Sequence, residues 1–242
     1  MEDLLPAGRL AAWGSAALTG AASPDEAADA VAGPVDPGHR VTDLPGEDGP
    51  VTLPYALVRI RSLGASGLRL VLPRPGDVSG LPGPSGANAA AVSAGAAVLT
   101  TGDCHLGLVS SGRASWVAVP VSPDRRARPT VREAERALGT AVRDAAVELA
   151  RLDVARWDPA AAEVVQGRGA SGRTSLPPSA GPAAHALLTQ GLRIARLVEV
   201  ALASDGAAVT GGESTARWQV LRELGDAARH AVEVACSAPV DR

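Results

Sequence analysis

The feature that most constrains the fold is a change in apolar periodicity near Pro129. Before that residue, short stretches in which every second side chain is apolar stand between stretches with helical spacing, whereas only helical spacing follows it. Alternation is typical of a strand with one buried face, and recurrence every three or four residues is typical of a helix with one buried side. The chain is therefore predicted to be α+β, with an N-terminal mixed β-sheet and flanking helices followed by a C-terminal α-helical bundle.

This change in pattern divides the chain into a mixed α/β region, residues 1–126, and a helical region, residues 127–242. A chain of 242 residues is long enough to bury a substantial apolar core. The two regions form either two domains or one compact unit.

Two helices are predicted at the start of the chain. The first covers residues 4–19, where apolar side chains recur near helical spacing. The second begins at a capping box, in which Ser23 and Glu26 satisfy each other's backbone N–H groups and Pro24 occupies the first helical position. Gly33 and the proline after it end that helix.

The region that follows has the order strand, helix, strand. Residues 39–44 form a short strand, residues 53–63 form a helix that ends at Gly64, and residues 68–72 alternate as a strand does. If these two strands pair in parallel, their crossover should be right-handed. Three more strands at 98–101, 106–110 and 116–121 are separated by turns with glycine and predict an antiparallel meander, so the sheet should be mixed.

The helical region begins at a capping box formed by Thr130 and Glu133. Asp158 and Pro159 start a shorter helix, which a loop at 167–175 ends. Two long helices follow, over 182–203 and from a third capping box at 210–213 onwards. The alanines along these helices predict close packing in a bundle.

Composition shows the bias of a GC-rich genome. The chain contains no Lys and no Phe, and its single Asn is Asn88. Asn88, Tyr55, Ile60 and Ile194 are residues that such a bias removes readily, so their presence hints that the fold or a site needs them.

Charge and cysteine content exclude several classes of function. A net charge of −3 and an aromatic content of 2% argue against binding nucleic acid, including through a helix-turn-helix. No apolar run approaches the roughly 20 residues of a membrane span, and Glu2 and Asp3 have the wrong charge for a secretory leader. Cys104 and Cys236 match no metal-ligand spacing. We therefore expect a cytoplasmic protein with no metal and no cofactor.

The loop at residues 73–88 is the leading candidate for a ligand site. Loops that follow a strand and enter a helix commonly bind ligands, and a helix N-terminus favours an anion. The candidate ligand-binding residues are Arg74, Asp77, Ser85 and Asn88, which supply a cation, a carboxylate and hydrogen-bonding groups. The glycine spacing matches no phosphate-binding loop, and no Lys is present to complete one. In the alternative interpretation, the prolines stiffen a surface loop, and Ser85 or Asn88 caps a helix.

Two further clusters contain reactive or charged groups. Asp103, Cys104 and His105 are consecutive, and neighbouring strand residues point to opposite faces, so a structural turn is favoured over a nucleophile and its base. His39 is another conceivable partner for Cys104. The arginines at 125, 126 and 128 lie between prolines, which favours a solvated connector over a phosphate clamp.

The turn-rich passage also carries a resemblance. Pro75-Gly-Asp77, Gly80-Leu-Pro-Gly-Pro84 and Asn88, followed by an alanine-rich helix and a strand, resemble an uncharacterised protein family of GC-rich actinobacteria. The resemblance covers most of the chain. It implies a bacterial cytosolic protein and brings no activity, cofactor or catalytic residue with it.

The function predicted from these observations is that of a cytosolic, non-enzymatic binding or interaction module. Amphipathic helices rich in alanine favour a homodimer or a protein partner held through the helical region. The alternative is a small-molecule hydrolase or transferase acting on an anionic metabolite at the loop 74–88, with Asp77 as the base. Whether the chain is an enzyme stays open, and no catalytic residue is identified.

Overall fold

The computed structural model describes residues 5–33, 38–124, 126–151, 176–203 and 211–239. These residues form an α+β protein, as predicted, and they divide into two compact units. The N-terminal unit takes the described residues of Met1–Arg128, Thr174–Pro182 and Cys236–Arg242, and the helical unit takes those of Pro129–Arg173 and Ala183–Ala235. No helix of the described ranges is long and apolar enough to cross a membrane.

The N-terminal unit contains a mixed six-stranded sheet. Its strands are β1 (Arg40–Thr42), β2 (Val51–Thr52), β3 (Ala65–Val71), β4 (Ala97–Gly102), β5 (Leu106–Gly112) and β6 (Ser115–Pro120), in the spatial order β2-β1-β6-β5-β4-β3. The strands β4, β5 and β6 form the predicted antiparallel meander, and β1 pairs in parallel with β6.

The strands near residues 39–44 and 68–72 do not pair with each other, so the condition for a right-handed crossover between them is not met. These strands are β1 and β3, and β3 lies at the opposite edge of the sheet, antiparallel to β4. The physical reason is length: β3 matches β4 at six paired positions, whereas β1 has only three residues to offer any partner.

Four helices flank the sheet: α1 (Leu5–Thr19), α2 (Pro24–Ala32), α3 (Leu53–Ser62) and α4 (Ser85–Ala94). The capping box of α2 is present, with Ser23 and Glu26 bonded reciprocally. α1 covers β3: a Cβ atom on Gly14 would lie 2.3 Å from Leu68 Cδ1, so glycine permits the close approach. Ser15 Oγ accepts a hydrogen bond of 2.8 Å from the Leu68 N–H, which satisfies a donor on the free side of this edge strand.

α4 packs against the sheet through an apolar cluster that β3, β4 and β5 share. The buried members are Val71, Leu81, Ala91, Ala97, Leu99 and Val109. Since successive strand residues point to opposite faces, Leu99 and Thr101 of β4 share the α4 side of the sheet. Leu68 and Val98 belong to the other face.

The turn-rich loop is shorter than expected, because α4 already begins at Ser85. Pro84 is the residue before the helix, and its fixed φ, −67°, suits that position. Neither Ser85 nor Asn88 caps α4 in the predicted way, since no side-chain cap bond is formed. Asn88 Oδ1 instead accepts a hydrogen bond of 3.0 Å from the Gly83 N–H and so ties the first turn of α4 to the loop before it.

The helical unit contains α5 (Val131–Arg151) and most of α6 (Gly181–Ala203) and α7 (Gly211–Cys236). The capping box of α5 is present, with the Glu133 N–H bonded to Thr130 Oγ1 and the Thr130 N–H to Glu133. All three helices contribute to one buried cluster, namely Ala145, Val198, Leu221 and Leu224. The helix predicted at Asp158, the loop at 167–175 and the cap at Thr210 lie outside the described residues.

Candidate functional site

A polar cavity of about 300 Å³ lies at the end of β4, within the N-terminal unit. We call it the β4 cavity. Its lining residues are Pro82, Leu99, Thr100, Thr101, Gly102, Asp103, His105, Val121, Ser122, Pro123, Asp124 and Arg128. They come from three segments: β4 with the turn that follows it, the loop before α4, and the segment after β6.

The first wall is built by the end of β4. Gly102 has a φ of +94°, and a Cβ atom there would lie only 2.6 Å from the carbonyl oxygen of Gly64. Glycine therefore allows the chain to turn close against the end of α3. Asp103 and His105 follow in this turn and are exposed.

The second wall is the segment after β6, which backbone hydrogen bonds fix on both sides. The Val121 N–H donates to the His105 carbonyl at 3.0 Å, and the Ser122 N–H donates to the Gly83 carbonyl at 2.9 Å. The segment is thus held to the turn after β4 and to the loop before α4. These bonds close the ring of backbone around the cavity.

Asp124 joins two arginines at the rim of the cavity. Its carboxylate lies 2.6 Å from Arg69 Nη2 and 2.8 Å from Arg126 Nε. Only 15% of the Asp124 side chain and 11% of the Arg69 side chain are exposed. The hydrogen bonds from Arg126, together with the charges of Arg69 and Arg126, hold the pKa of this carboxyl below its ordinary value.

The same two arginines also bind the loop before α4. Arg69 Nη2 donates to the Gly80 carbonyl at 3.0 Å, and Arg126 Nη1 donates to the Ser79 carbonyl. Through these two arginines, Asp124 links the segment after β6 to the loop before α4. The negative charge of Asp124 is thus compensated by two guanidinium groups.

The cavity wall also contains three ionisable side chains, those of Asp103, His105 and Arg128. Across the residues that the structure describes, the side chains of Asp103, His105 and Arg128 make no hydrogen bond and no ion pair. All three are exposed. A carboxylate, an imidazole and a guanidinium group are thus available to a molecule that enters the cavity.

The predicted site residues lie outside this cavity, two of them on the loop before α4 and two in the first turn of α4. Arg74 and Asp77 bond to each other through their backbones at 3.0 and 2.9 Å across a tight turn, and Asp77 Oδ1 accepts a bond of 2.8 Å from the Ser79 hydroxyl. Ser85 is exposed at the start of α4, one turn before Asn88. None of the four lines the β4 cavity, to which this loop contributes Pro82.

The reactive residues are also separated from one another. Cys104 is 5% exposed, and its burial raises the pKa of the thiol, so the neutral form is favoured. His39 is buried and accepts a hydrogen bond of 2.9 Å at Nδ1 from Trp116 Nε1. Trp116 is therefore a core residue. No metal-ligating cluster occurs among the described residues.

The β4 cavity combines two clusters that the sequence presents separately. His105 and Arg128 belong to the Asp103-Cys104-His105 turn and to the arginine cluster, respectively. What unites them is the pairing of Leu106 with Pro120, which brings the start of β5 to the end of β6. Arg126 is ion-paired rather than merely solvated, and Arg125 lies outside the described residues.

The fold and site together define an α+β protein with a polar cavity at one end of its N-terminal sheet. The chain belongs to the Rv1486c-like protein family: the family model of the N-terminal domain matches residues 7–131, and that of the C-terminal domain matches residues 132–233. This finding confirms the resemblance to an uncharacterised actinobacterial family. No curated protein and no solved structure matches the chain.

Proposed function

We propose that this protein is a non-enzymatic binding module whose N-terminal unit holds a small polar molecule in the β4 cavity. The observation that carries the proposal is the presence, on the wall of one cavity, of three ionisable side chains that have no partner among the described residues, namely Asp103, His105 and Arg128. A few convergent polar groups in a concave site are the usual means by which proteins orient small ligands.

The size of the cavity limits the ligand. A volume of 300 Å³ corresponds to roughly ten water molecules at about 30 Å³ each. We therefore expect a ligand with on the order of ten non-hydrogen atoms.

Binding is favoured over catalysis by the state of the reactive groups. An activated nucleophile needs a base within hydrogen-bonding distance, and no hydrogen bond joins the side chains of Ser122 and His105 in the described structure. The buried thiol of Cys104 is held neutral. The alternative of a hydrolase or transferase at the loop 74–88 has weaker support, because Asp77 and Asn88 are engaged in bonds that shape the loop.

Native mass spectrometry of the protein isolated gently from its own host tests this proposal. We expect a stoichiometric small adduct on the wild type and its loss in Ser122→Leu, whose larger side chain occupies the cavity. Ser93→Leu changes an exposed serine of α4 and should retain the adduct. An adduct that survives in Ser122→Leu with the fold intact, or a wild type without any adduct, would contradict the proposal.

The helical unit supports a second candidate function, association with a second copy of the chain. Trp218 of α7 is 51% exposed, and the guanidinium carbon of Arg222 lies 5.3 Å from the centre of its ring. Tryptophan and arginine are enriched in protein interfaces and often dominate their binding energy. A homodimer through the predicted bundle would bury this pair, and another protein partner remains the alternative occupant.

Sedimentation equilibrium of the full chain tests the homodimer. The wild type should dimerise, and Trp218→Ala should weaken the dimer by at least about tenfold, since hot-spot residues contribute 2 kcal/mol or more. Val147→Ala removes another exposed apolar side chain, on α5, and should leave the dimer unchanged. A wild type that stays monomeric at the highest attainable concentration would rule the homodimer out.

A cytoplasmic location belongs to the same proposal. Both cysteines are buried and free of disulfides, which supports a reducing compartment.

A further inference from the structure

We propose that the β4 cavity recognises a small molecule with one anionic group, a carboxylate or a phosphate, at Arg128 and a hydroxyl group at Asp103. This inference rests on the proposed binding function and names the chemical class of the ligand. It follows from the charges and hydrogen-bonding capacities of the groups on the cavity wall.

The first step concerns Arg128. A guanidinium group has five N–H donors in a planar fork, which matches two oxygens of a carboxylate or phosphate. Arg128 is exposed, lines the cavity and forms no ion pair within the described structure. No internal contact has to be broken when an oxyanion binds to it.

The second step concerns the charge around the cavity. Asp124 also lines the wall, but its carboxylate is already shared between Arg69 and Arg126. The negative charge of Asp124 is therefore compensated and does not oppose the binding of an anion to Arg128. His105 also lines the cavity, and its ring nitrogen can donate a hydrogen bond to the same anion.

The third step concerns Asp103, whose carboxylate is the other charged group without a partner on the wall. An ionised carboxylate only accepts hydrogen bonds. It therefore favours a ligand with a hydroxyl donor and repels a second anionic group. The cavity should prefer a hydroxylated molecule with one anionic group to a dicarboxylate of the same size.

Isothermal titration calorimetry of the full chain tests this assignment. The probes are glycolate and glycerol 3-phosphate as hydroxylated anions, inorganic phosphate as an anion without a carbon chain, and glycerol and ethanolamine as neutral and cationic molecules. Glycolate and glycerol 3-phosphate distinguish a carboxylate from a phosphate ligand. We expect at least one of these two to bind, and glycerol and ethanolamine not to bind.

Three variants locate the binding site. Arg128→Gln should weaken binding of the anion by at least about tenfold, because hydrogen bonds to charged groups contribute about 1.5 to 3 kcal/mol. Asp103→Asn should weaken a hydroxylated probe and leave inorganic phosphate unaffected or better bound. Arg113→Gln, in the turn at the far end of the hairpin of β5 and β6, should bind as the wild type does.

Failure of this inference can be told from failure of the proposed function. If glycerol or ethanolamine binds, the anions do not, and Ser122→Leu abolishes binding, then the cavity is a binding site but the anion assignment is overturned. Equal anion affinity in the wild type and Arg128→Gln also overturns it, as does the failure of both hydroxylated anions to bind. If both hydroxylated anions fail to bind but the wild type carries a native adduct that Ser122→Leu loses, the proposed function is still supported.

Discussion

Replacing Gly102 with alanine is expected to lower the free energy of unfolding of the N-terminal unit by about 3 kcal/mol or more. The residue has a φ of +94°, which an L side chain rarely adopts. In addition, a Cβ atom would lie 2.6 Å from the Gly64 carbonyl oxygen and 3.0 Å from the Ser66 nitrogen. Both neighbours are backbone atoms, so no side-chain rotation can relieve the collision. Urea denaturation followed by circular dichroism measures the effect.

Two alanine variants separate backbone conformation from collision. Gly95 has a φ of +72° at the end of α4 with open space around it, so Gly95→Ala should cost about 1 to 2 kcal/mol for conformation alone. Gly49 has open space and no positive φ, so Gly49→Ala should stay within about 0.5 kcal/mol of the wild type. If Gly102→Ala lowers the free energy of unfolding no more than Gly95→Ala does, the turn does not lie as close to Gly64 as the structure places it.

Replacing Asp124 with asparagine should destabilise the N-terminal unit by about 1.5 to 3 kcal/mol, the range for a hydrogen bond to a charged group, since its ion pair with Arg69 is only partly buried. The substitution removes the carboxylate that Arg69, whose side chain is 11% exposed, binds at 2.6 Å. Glu148→Gln breaks the ion pair with Arg151, whose side chains are 49% and 72% exposed, respectively, and should cost at most about 0.5 kcal/mol. Similar losses in the two variants would contradict the linking role of Asp124.

The difference between the wild type and Asp124→Asn should also depend on pH. The pKa of Asp124 is lower in the folded protein than in the unfolded chain. Its ionised form therefore contributes stability that is present above the unfolded pKa, about 3.9, and is lost as the pH falls through the folded value. Denaturation curves should show a constant difference near neutral pH and a shrinking one below about pH 4. A difference that grows with acidification would contradict the lowered pKa.

Local sequence signals predicted much of the fold because their causes are local. The capping boxes at Ser23 and Thr130 marked the starts of α2 and α5, since a cap is satisfied within four residues. Alternation located β3, because the period of a strand does not depend on its partner. The α+β class followed from these patterns alone.

Capping boxes and periodicity could not predict which strands pair with each other. Periodicity tells which side chains share a face, but it does not tell which strand lies alongside. The parallel pairing of β1 with β6 joins residues 75 positions apart, such as Thr42 and Val117. The β4 cavity depends on such a pairing, that of β5 with β6. For this reason its residues appeared in the sequence as two unrelated clusters.

The structure gives a reason for most of the residues that a GC-rich genome removes readily. Ile60 is fully buried, Ile194 packs against the cluster of the helical unit, and Asn88 fixes the loop before α4. Tyr55 differs, since it is 49% exposed and its hydroxyl donates a hydrogen bond of 3.0 Å to Glu47. The structure thus explains three of the four residues by packing or loop geometry.

Histidine-selective NMR tests the central claim, that a small polar molecule binds in the β4 cavity. The chain has only four histidines, so each ring signal can be assigned by a single substitution. On addition of whichever hydroxylated anion binds, the account predicts that the His105 signals move in proportion to occupancy. The signals of His39, His185 and His230 should stay in place. A bound probe that shifts His185 or His230 and leaves His105 unmoved would place the binding site elsewhere and contradict the claim.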